Sequence, residues 1–203
     1  MRPVMRPVIR KAGRSLLWLL LAVPAALMLA GLMRGTTPAM DLLHPSGELS
    51  VRLMLLALLP GPLAEFFGAN RFLRGWLAIR RNLGVAAFAY AMLHLAFYVV
   101  DMGALAPMVD EFALPPIWTG WLALALMVPP AAVSFDAAMR ALGRRWKALQ
   151  RLVYAAFALG LVHWLLLDWH WQPAAVHLAP LAIAWALRRR SRGKGRNLAR
   201  STT

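Results

Sequence analysis

The side chains best suited to metal or redox chemistry in this sequence are its histidines. The chain of 203 residues contains five of them and no cysteine, so disulfides, iron–sulfur clusters and zinc–thiolate sites are excluded. His94 and His163 each lie within a long apolar segment, 11 residues after Leu83 and Leu152 respectively. If both segments are helices that run in the same direction, both imidazoles lie about 16–17 Å from the helix start, because an α-helix rises about 1.5 Å per residue. The spacing therefore predicts that the two rings lie at one level.

Two imidazoles at one level on parallel helices could provide both axial ligands of one heme iron. Tyr90, one turn before His94, could hydrogen-bond toward the same group. However, small residues at helical spacing are also typical of helix packing without a cofactor, and an intramembrane histidine often forms an interhelical hydrogen bond or relays protons. Spacing alone leaves these interpretations open. The small residues that could leave room for a flat macrocycle precede each histidine by seven and three positions: Ala87 and Ala91, then Ala156 and Gly160.

The composition indicates that lipid surrounds much of the chain. Hydrophobic residues make up 61% of the sequence, whereas soluble domains are usually about 45–50% apolar. Six apolar segments approach the roughly 17–25 residues that a membrane helix needs. The sequence thus predicts an all-α bundle of six transmembrane helices over residues 16–187, the first of them a retained helix rather than a cleaved signal peptide, with a basic N-terminus (1–15) and a basic disordered tail (188–203). The segments are 16–33, 51–67, 83–100, 117–135, 152–169 and 173–187.

The charged residues predict how these helices are oriented. The net charge is +15, and 21 of the 23 Lys and Arg residues lie before the first segment, after the second, after the fourth or after the sixth. Positive loops mark the cytoplasmic side, so both termini are expected in the cytoplasm of a bacterium and the helices in its inner membrane. Nucleic-acid binding is excluded, because the charges form short clusters between apolar runs. His44, His170 and His177 then fall near the outer side, where surface or interface roles are expected.

Two sequence blocks resemble a known family. The first is Arg80-Arg81-Asn82-Leu83-Gly84 with the later His94, and the second is Leu149-Gln150-Arg151-Leu152-Val153-Tyr154 with the later His163. Together they resemble the ferric-reductase-like transmembrane family and, within it, the heme-binding membrane subunits of bacterial periplasmic methionine-sulfoxide reductase systems. The resemblance implies electron transfer from a cytoplasmic flavin reductase or from quinol, through heme b, to a periplasmic molybdenum enzyme. By position, His94 and His163 match the family's heme ligands, and Arg80 matches an arginine near an inner heme.

The sequence departs from the family pattern at two places. Gln150 stands where the family has a histidine, which puts a second, inner heme in doubt because glutamine is a poor iron ligand. The segment 114–117 reads Leu-Pro-Pro-Ile where the family tends to have Arg-Pro-Tyr, which puts docking or binding of a flavin such as FMN in doubt.

The preferred hypothesis is an electron-transfer subunit that carries one bis-histidine heme. Because no nucleophile–base pair is visible, the chain is expected to conduct electrons for an oxidoreductase system rather than to be a complete enzyme. The alternative is a cofactor-free membrane protein, a transporter or an assembly scaffold, that retains the fold. A transporter would be expected to carry further ionisable groups within its membrane segments, and few are present.

Overall fold

All the regular structure in the described part of the chain is helical. The computed structural model describes residues 5–168 and 170–201. Its helices are α1 (Met5–Met33), α2 (Ala39–Leu58), α3 (Pro60–Phe67), α4 (Arg71–Met102), α5 (Leu105–Glu111), α6 (Pro115–Ala132), α7 (Asp136–Leu142), α8 (Arg144–Gln150), α9 (Leu152–Asp168) and α10 (Trp171–Ser201).

Four stretches of helix among the described residues are long and apolar enough to cross a membrane: Gly13–Met33, Ala39–Phe67, Arg71–Met102 and Arg144–Asp168. A fifth candidate combines α5 and α6, which meet at an angle of 102°. The fold is therefore all-α with four or five candidate spans, and the prediction of six spans is not confirmed. The sixth predicted span falls in α10, whose apolar stretch is short because Gln172 lies near its start and the arginines from Arg188 onward follow it.

Two predicted boundaries differ from the structure. The predicted disordered tail begins at residue 188, but α10 continues through Ser201. Arginine, leucine and alanine in this segment all favour helix, and the prediction gave more weight to their charge. The second span starts at Ala39, twelve residues earlier than predicted, because Pro45 is accommodated inside α2. Trp169, expected at the outer membrane boundary, lies outside the described residues.

Two helix pairs form the body of the bundle, α2 with α4 and α6 with α9. Fully buried small residues, Ala87 on α4 and Ala156 on α9, allow close helix approach. The Ser50 hydroxyl donates a 2.9 Å hydrogen bond to the Ala87 carbonyl oxygen and so connects α2 to α4. The helix α10 packs against α2, α3 and α9.

The outer surface of the bundle is apolar. Leu27, Phe72 and Ile183 are 67%, 72% and 60% exposed, and many other large apolar side chains also point outward. Such a surface is unfavourable in water and is the surface that a bilayer requires. The chain is a membrane protein.

Candidate functional site

The structure brings His94 and His163 together, as the sequence predicts. His94 lies near the end of α4 and His163 near the end of α9. Their ring centres are 6.1 Å apart, and the ring planes are nearly perpendicular at 85°. Both side chains are partly buried. The two helix pairs thus each deliver one imidazole to a shared site.

Each imidazole is anchored through the same ring nitrogen. Nδ1 of His94 lies 2.9 Å from the carbonyl oxygen of Leu43, and Nδ1 of His163 lies 2.5 Å from that of Pro116. Because a carbonyl oxygen can only accept, each Nδ1 carries the proton and donates it. Each neutral ring therefore keeps its lone pair on Nε2, which has no hydrogen-bond partner in the part of the chain that the structure describes. This is the tautomer in which Nε2 can ligate a metal.

Glycines on the neighbouring helices lie against both rings. A Cβ atom on Gly47 of α2 would lie 3.2 Å from His94 Nδ1 and 3.3 Å from its Cε1. A Cβ atom on Gly120 of α6 would lie 2.8 Å from both Nδ1 and Cε1 of His163, closer than real Cβ atoms come. The rings fit in these positions because both neighbours lack a side chain.

A cavity of about 500 Å³ opens beside the two histidines. Ligand pockets generally range from about 300 to 1,000 Å³. The part of its lining formed by Val51, Met54, Leu124 and Met127 is apolar. Its polar lining includes His44 and four carboxylates but no lysine or arginine, so the heme propionates would have no such partner there; the carboxylates are Glu48, Asp101, Glu111 and Asp168.

The spacing of the two rings leaves room for one metal ion. An imidazole nitrogen lies about 2 Å from a metal that it ligates, and the ring centres of His94 and His163 are 6.1 Å apart. His94 and His163 would therefore be the residues to hold an iron there, and two neutral imidazoles are a donor set that suits heme iron.

Of the other residues predicted near His94 and His163, two line the cavity and Tyr90 does not. Gly160 and Ala91 line the cavity as expected. Tyr90 does not hydrogen-bond toward it, because its hydroxyl donates to the Leu21 carbonyl at 2.7 Å and accepts from the Ala25 N–H at 3.1 Å. In a regular helix the Ala25 N–H donates to the Leu21 carbonyl oxygen. Tyr90 therefore contacts both partners of one i,i+4 position of α1, next to Pro24. Tyr90 therefore holds α1 against α4.

Arg80 and Gln150 lie away from the cavity. The Gln150 amide donates a 3.0 Å hydrogen bond to the Pro130 carbonyl oxygen at the end of α6. The Arg80 guanidinium lies beside Gly61 of α3. Its Nη1 atom is 3.9 Å from the position that a Cβ atom added to Gly61 would occupy. Neither residue lines the cavity that contains the histidine pair.

The remaining histidines lie around the Asp168 end of α9. His44 lines the cavity, and its Nε2 is 3.8 Å from the Asp168 carboxylate. His177 is buried, with its ring 5.2 Å from that of Trp164. His170 is exposed and hydrogen-bonds the Asp168 carbonyl oxygen.

Sequence reasoning missed the residues that hold the imidazoles: Ser46, Gly47, Thr119 and Gly120. The signal that could have found them is a Ser/Thr-Gly pair, which occurs at 46–47, before the second apolar segment, and at 119–120, inside the fourth. The pair is uninformative until the facing helix is known.

The fold and the site together define a helical membrane protein with two imidazoles beside one cavity. A family model for the ferric reductase-like transmembrane component matches residues 46–161, which includes His94 and ends two residues before His163. The chain belongs to this family. It is similar to a protein of Brucella anthropi named protein-methionine-sulfoxide reductase heme-binding subunit MsrQ, with 35% identity over 166 residues, 80% of this chain and 73% of the relative. A protein of the same name from Brucella ovis is 35% identical over 161 residues, 78% of this chain and 71% of the relative.

Proposed function

We propose that this chain is a membrane electron-transfer subunit that binds one heme b between His94 and His163. The single observation that carries the proposal is the geometry of the two rings: Nδ1 is anchored on a carbonyl in each, and their centres are 6.1 Å apart. The relatives named as heme-binding subunits support the same assignment. When bound, the heme supplies reversible one-electron reduction of its iron.

The chain's own residues would hold the heme and tune its electron affinity. The hydrogen bonds from Nδ1 of His94 and His163 to carbonyl oxygens raise the basicity of each Nε2, which favours the oxidised form of a ligated iron. The apolar lining around Met54 and Met127 excludes water from one side of the cavity and lowers the local polarity. The two influences act on the potential in different directions, since low polarity disfavours the extra charge of a ferric centre.

We further propose six spans, with α10 as the sixth and both termini in the cytoplasm. The distribution of Lys and Arg supports this orientation, and the packing of α10 against α2, α3 and α9 supports its membership in the bundle. Electrons would then enter from a cytoplasmic flavin reductase or from quinol and leave to a periplasmic acceptor, such as a molybdenum methionine-sulfoxide reductase.

The orientation can be tested by thiol labelling, because the chain contains no cysteine. Thr36→Cys, in the exposed turn after α1, should react with a membrane-impermeant maleimide added to intact spheroplasts. Lys147→Cys, exposed on α8, should react only after the membrane is permeabilised. The reverse pattern would contradict the orientation.

The heme assignment can be tested by a reduced-minus-oxidised visible spectrum of the detergent-purified chain. The expected result is a sharp b-type spectrum with about one heme per chain that disappears in His94→Ala and in His163→Ala. His170→Ala, an exposed histidine outside the cavity, is the matched control and should retain the spectrum. Absence of heme from wild-type protein, produced with ample heme supply, would reject the proposal and favour a cofactor-free membrane protein.

A further inference from the structure

The same three-part arrangement surrounds His94 and His163. In each case the imidazole bonds to a main-chain carbonyl of the neighbouring helix, a hydroxyl residue follows that carbonyl by three positions, and a glycine follows it by four. The two versions are Leu43, Ser46 and Gly47 on α2, and Pro116, Thr119 and Gly120 on α6. We call them the two cradles.

The hydroxyl of each cradle bonds to the same carbonyl as the imidazole. Ser46 Oγ lies 2.9 Å from the Leu43 carbonyl oxygen and 2.6 Å from that of Leu42. Thr119 Oγ1 lies 2.8 Å from the carbonyl oxygens of both Pro116 and Pro115. Ser46 is 0% exposed and Thr119 is 3% exposed, so neither hydroxyl can exchange its partner for bulk water. Each imidazole therefore shares its acceptor with a second, buried donor.

The glycine of each cradle determines how close the ring can come. The clearance is smaller at Gly120, where a Cβ would be 2.8 Å from the ring of His163, than at Gly47, where it would be 3.2 Å from the ring of His94. At the first distance the ring must move, and at the second a shift of a few tenths of an ångström is enough. Gly84 on α4 has nothing within 4 Å of its Cβ position, so it offers a matched control.

We propose that Ser46–Gly47 and Thr119–Gly120 are positioning residues that set the tautomer, the plane and the basicity of the two imidazoles. The inference rests on the proposed function for its consequences at the iron, but its geometric part concerns the protein alone. The glycines determine where the rings lie, and the hydroxyls moderate the strength of the hydrogen bond between each Nδ1–H and its carbonyl.

The glycine part predicts a graded loss of heme. Gly120→Ala should weaken heme binding by about 10–100-fold, the range found when outer-shell partners of metal ligands are changed. Gly47→Ala should retain heme but alter the low-spin electron paramagnetic resonance spectrum, which reports the angle between the two imidazole planes. Gly84→Ala should match wild type in both measurements. Equal heme content and identical spectra in Gly120→Ala and wild type would overturn the glycine assignment.

A stability measurement on heme-free protein separates this proposal from the proposed function. Gly120→Ala should lower the melting temperature in detergent when His163 is present. The same change should have no more effect than Gly84→Ala in a His163→Ala background, because the ring that the new Cβ meets is gone. A cost that persists without His163 would show that Gly120 serves helix packing only. If wild-type protein binds no heme but this coupling is found, the cradle stands and the heme assignment fails.

The hydroxyl part predicts a change in reduction potential. In Thr119→Val the Pro116 carbonyl loses one of its donors and accepts more strongly from His163 Nδ1–H, so the potential should fall. Thr119→Ser should restore the wild-type potential. Heme content should be unchanged in both variants, which distinguishes tuning from loss of the site. A potential that is the same in Thr119→Val and wild type would overturn this role for the hydroxyl.

Discussion

Two regions of the bundle use polar side chains in opposite ways. At the histidine level, defined by His94 and His163, one nitrogen of each ring bonds to a carbonyl oxygen and the other has no hydrogen-bond partner among the described residues. At the proline level, our name for the surroundings of Pro60 and Pro130, polar side chains bond to carbonyls at helix breaks and ends. The first region is the site that we propose for a ligand, and the second holds the ends of broken helices.

The hydrogen bonds at the proline level indicate a structural role for Gln150. Pro60 has no N–H, so the Leu56 carbonyl oxygen four residues earlier lacks its usual helix donor. The Trp76 indole N–H fills that place at 2.8 Å. Similarly, Gln150 Nε2 bonds to the Pro130 carbonyl near the end of α6, which also accepts from the Ser134 hydroxyl. The Trp76 indole thus satisfies a carbonyl that would otherwise be costly in a membrane, and the Gln150 amide adds a second donor to a carbonyl that Ser134 already satisfies.

The largest expected effect, on heme binding, comes from placing glutamine at residue 163 of the histidine level and histidine at residue 150 of the proline level. His163→Gln should abolish heme binding, because an amide is a poor iron ligand. Gln150→His should leave the stoichiometry at about one heme per chain, because residue 150 lies outside the cavity. Pyridine-hemochrome analysis per mole of protein measures both. A ratio near two in Gln150→His would show that the proline level can open into a second site.

A smaller effect is expected when Gln150 loses its amide. Gln150→Leu should reduce stability by about 1 kcal/mol, as is typical for an interhelical hydrogen bond in a membrane protein. The heme content should stay at the wild-type level. Unfolding in mixed micelles with increasing denaturing detergent measures the first quantity, and the visible spectrum measures the second. Gln150→Asn is the control, because it keeps a neutral amide on a shorter side chain. Gln150→Glu is less suitable because it adds a charge. Loss of heme without loss of stability would contradict a structural role.

The comparison also explains how far sequence reasoning could go. His94, His163 and Gly160 were predictable, because position along a helix determines depth and face. The depth argument needs only the rise per residue, which tertiary packing does not alter. Gly47 and Gly120 were missed because their contacts with the rings arise only when α2 packs on α4 and α6 packs on α9.

Tyr90 illustrates a prediction that was wrong for a physical reason. Its spacing from His94 suggests a shared face, but residues four apart on a helix are separated by about 40° of rotation. That offset is enough to direct the Tyr90 hydroxyl to α1, where Leu21 and Ala25 provide an acceptor and a donor. Similarly, no local pattern indicated that Gln150 would reach Pro130, because the two lie on different helices.

A further prediction concerns the indole at the proline level. Trp76→Phe keeps the aromatic ring but removes the N–H that bonds to the Leu56 carbonyl oxygen. Stability should fall by about 0.5–1 kcal/mol, since Trp76 is partly exposed and the carbonyl retains some access to other donors. Trp118→Phe, an exposed tryptophan at the start of α6, is the control and should have little effect. Equal melting temperatures in Trp76→Phe and wild type would mean that the Pro60 break needs no external donor.

The smallest expected effect involves an ion pair whose carboxylate, Asp136, lies outside the candidate spans. The Arg81 guanidinium hydrogen-bonds to Asp136 on α7 and holds the pKa of that carboxyl below its ordinary value. A depressed folded-state pKa contributes stability above the unfolded-state pKa of about 3.9, and this contribution is lost as the pH falls through the lower folded-state value. The melting temperature of Asp136→Asn should therefore lie slightly below that of wild type at neutral pH, with the difference vanishing in acid.

Salt provides an independent check on this ion pair. Because Asp136 is exposed, the difference between Asp136→Asn and wild type should also shrink in about 1 M salt, where charges are screened within about 3 Å. Asp110→Asn, an exposed carboxylate on α5, controls for the loss of one negative charge. A difference that is constant across pH and salt would show that the charge of Asp136 contributes nothing, because pairing with Arg81 and interaction with the start of α7 both require the ionised carboxylate. In that case the ion pair would not stabilise the contact between α4 and α7.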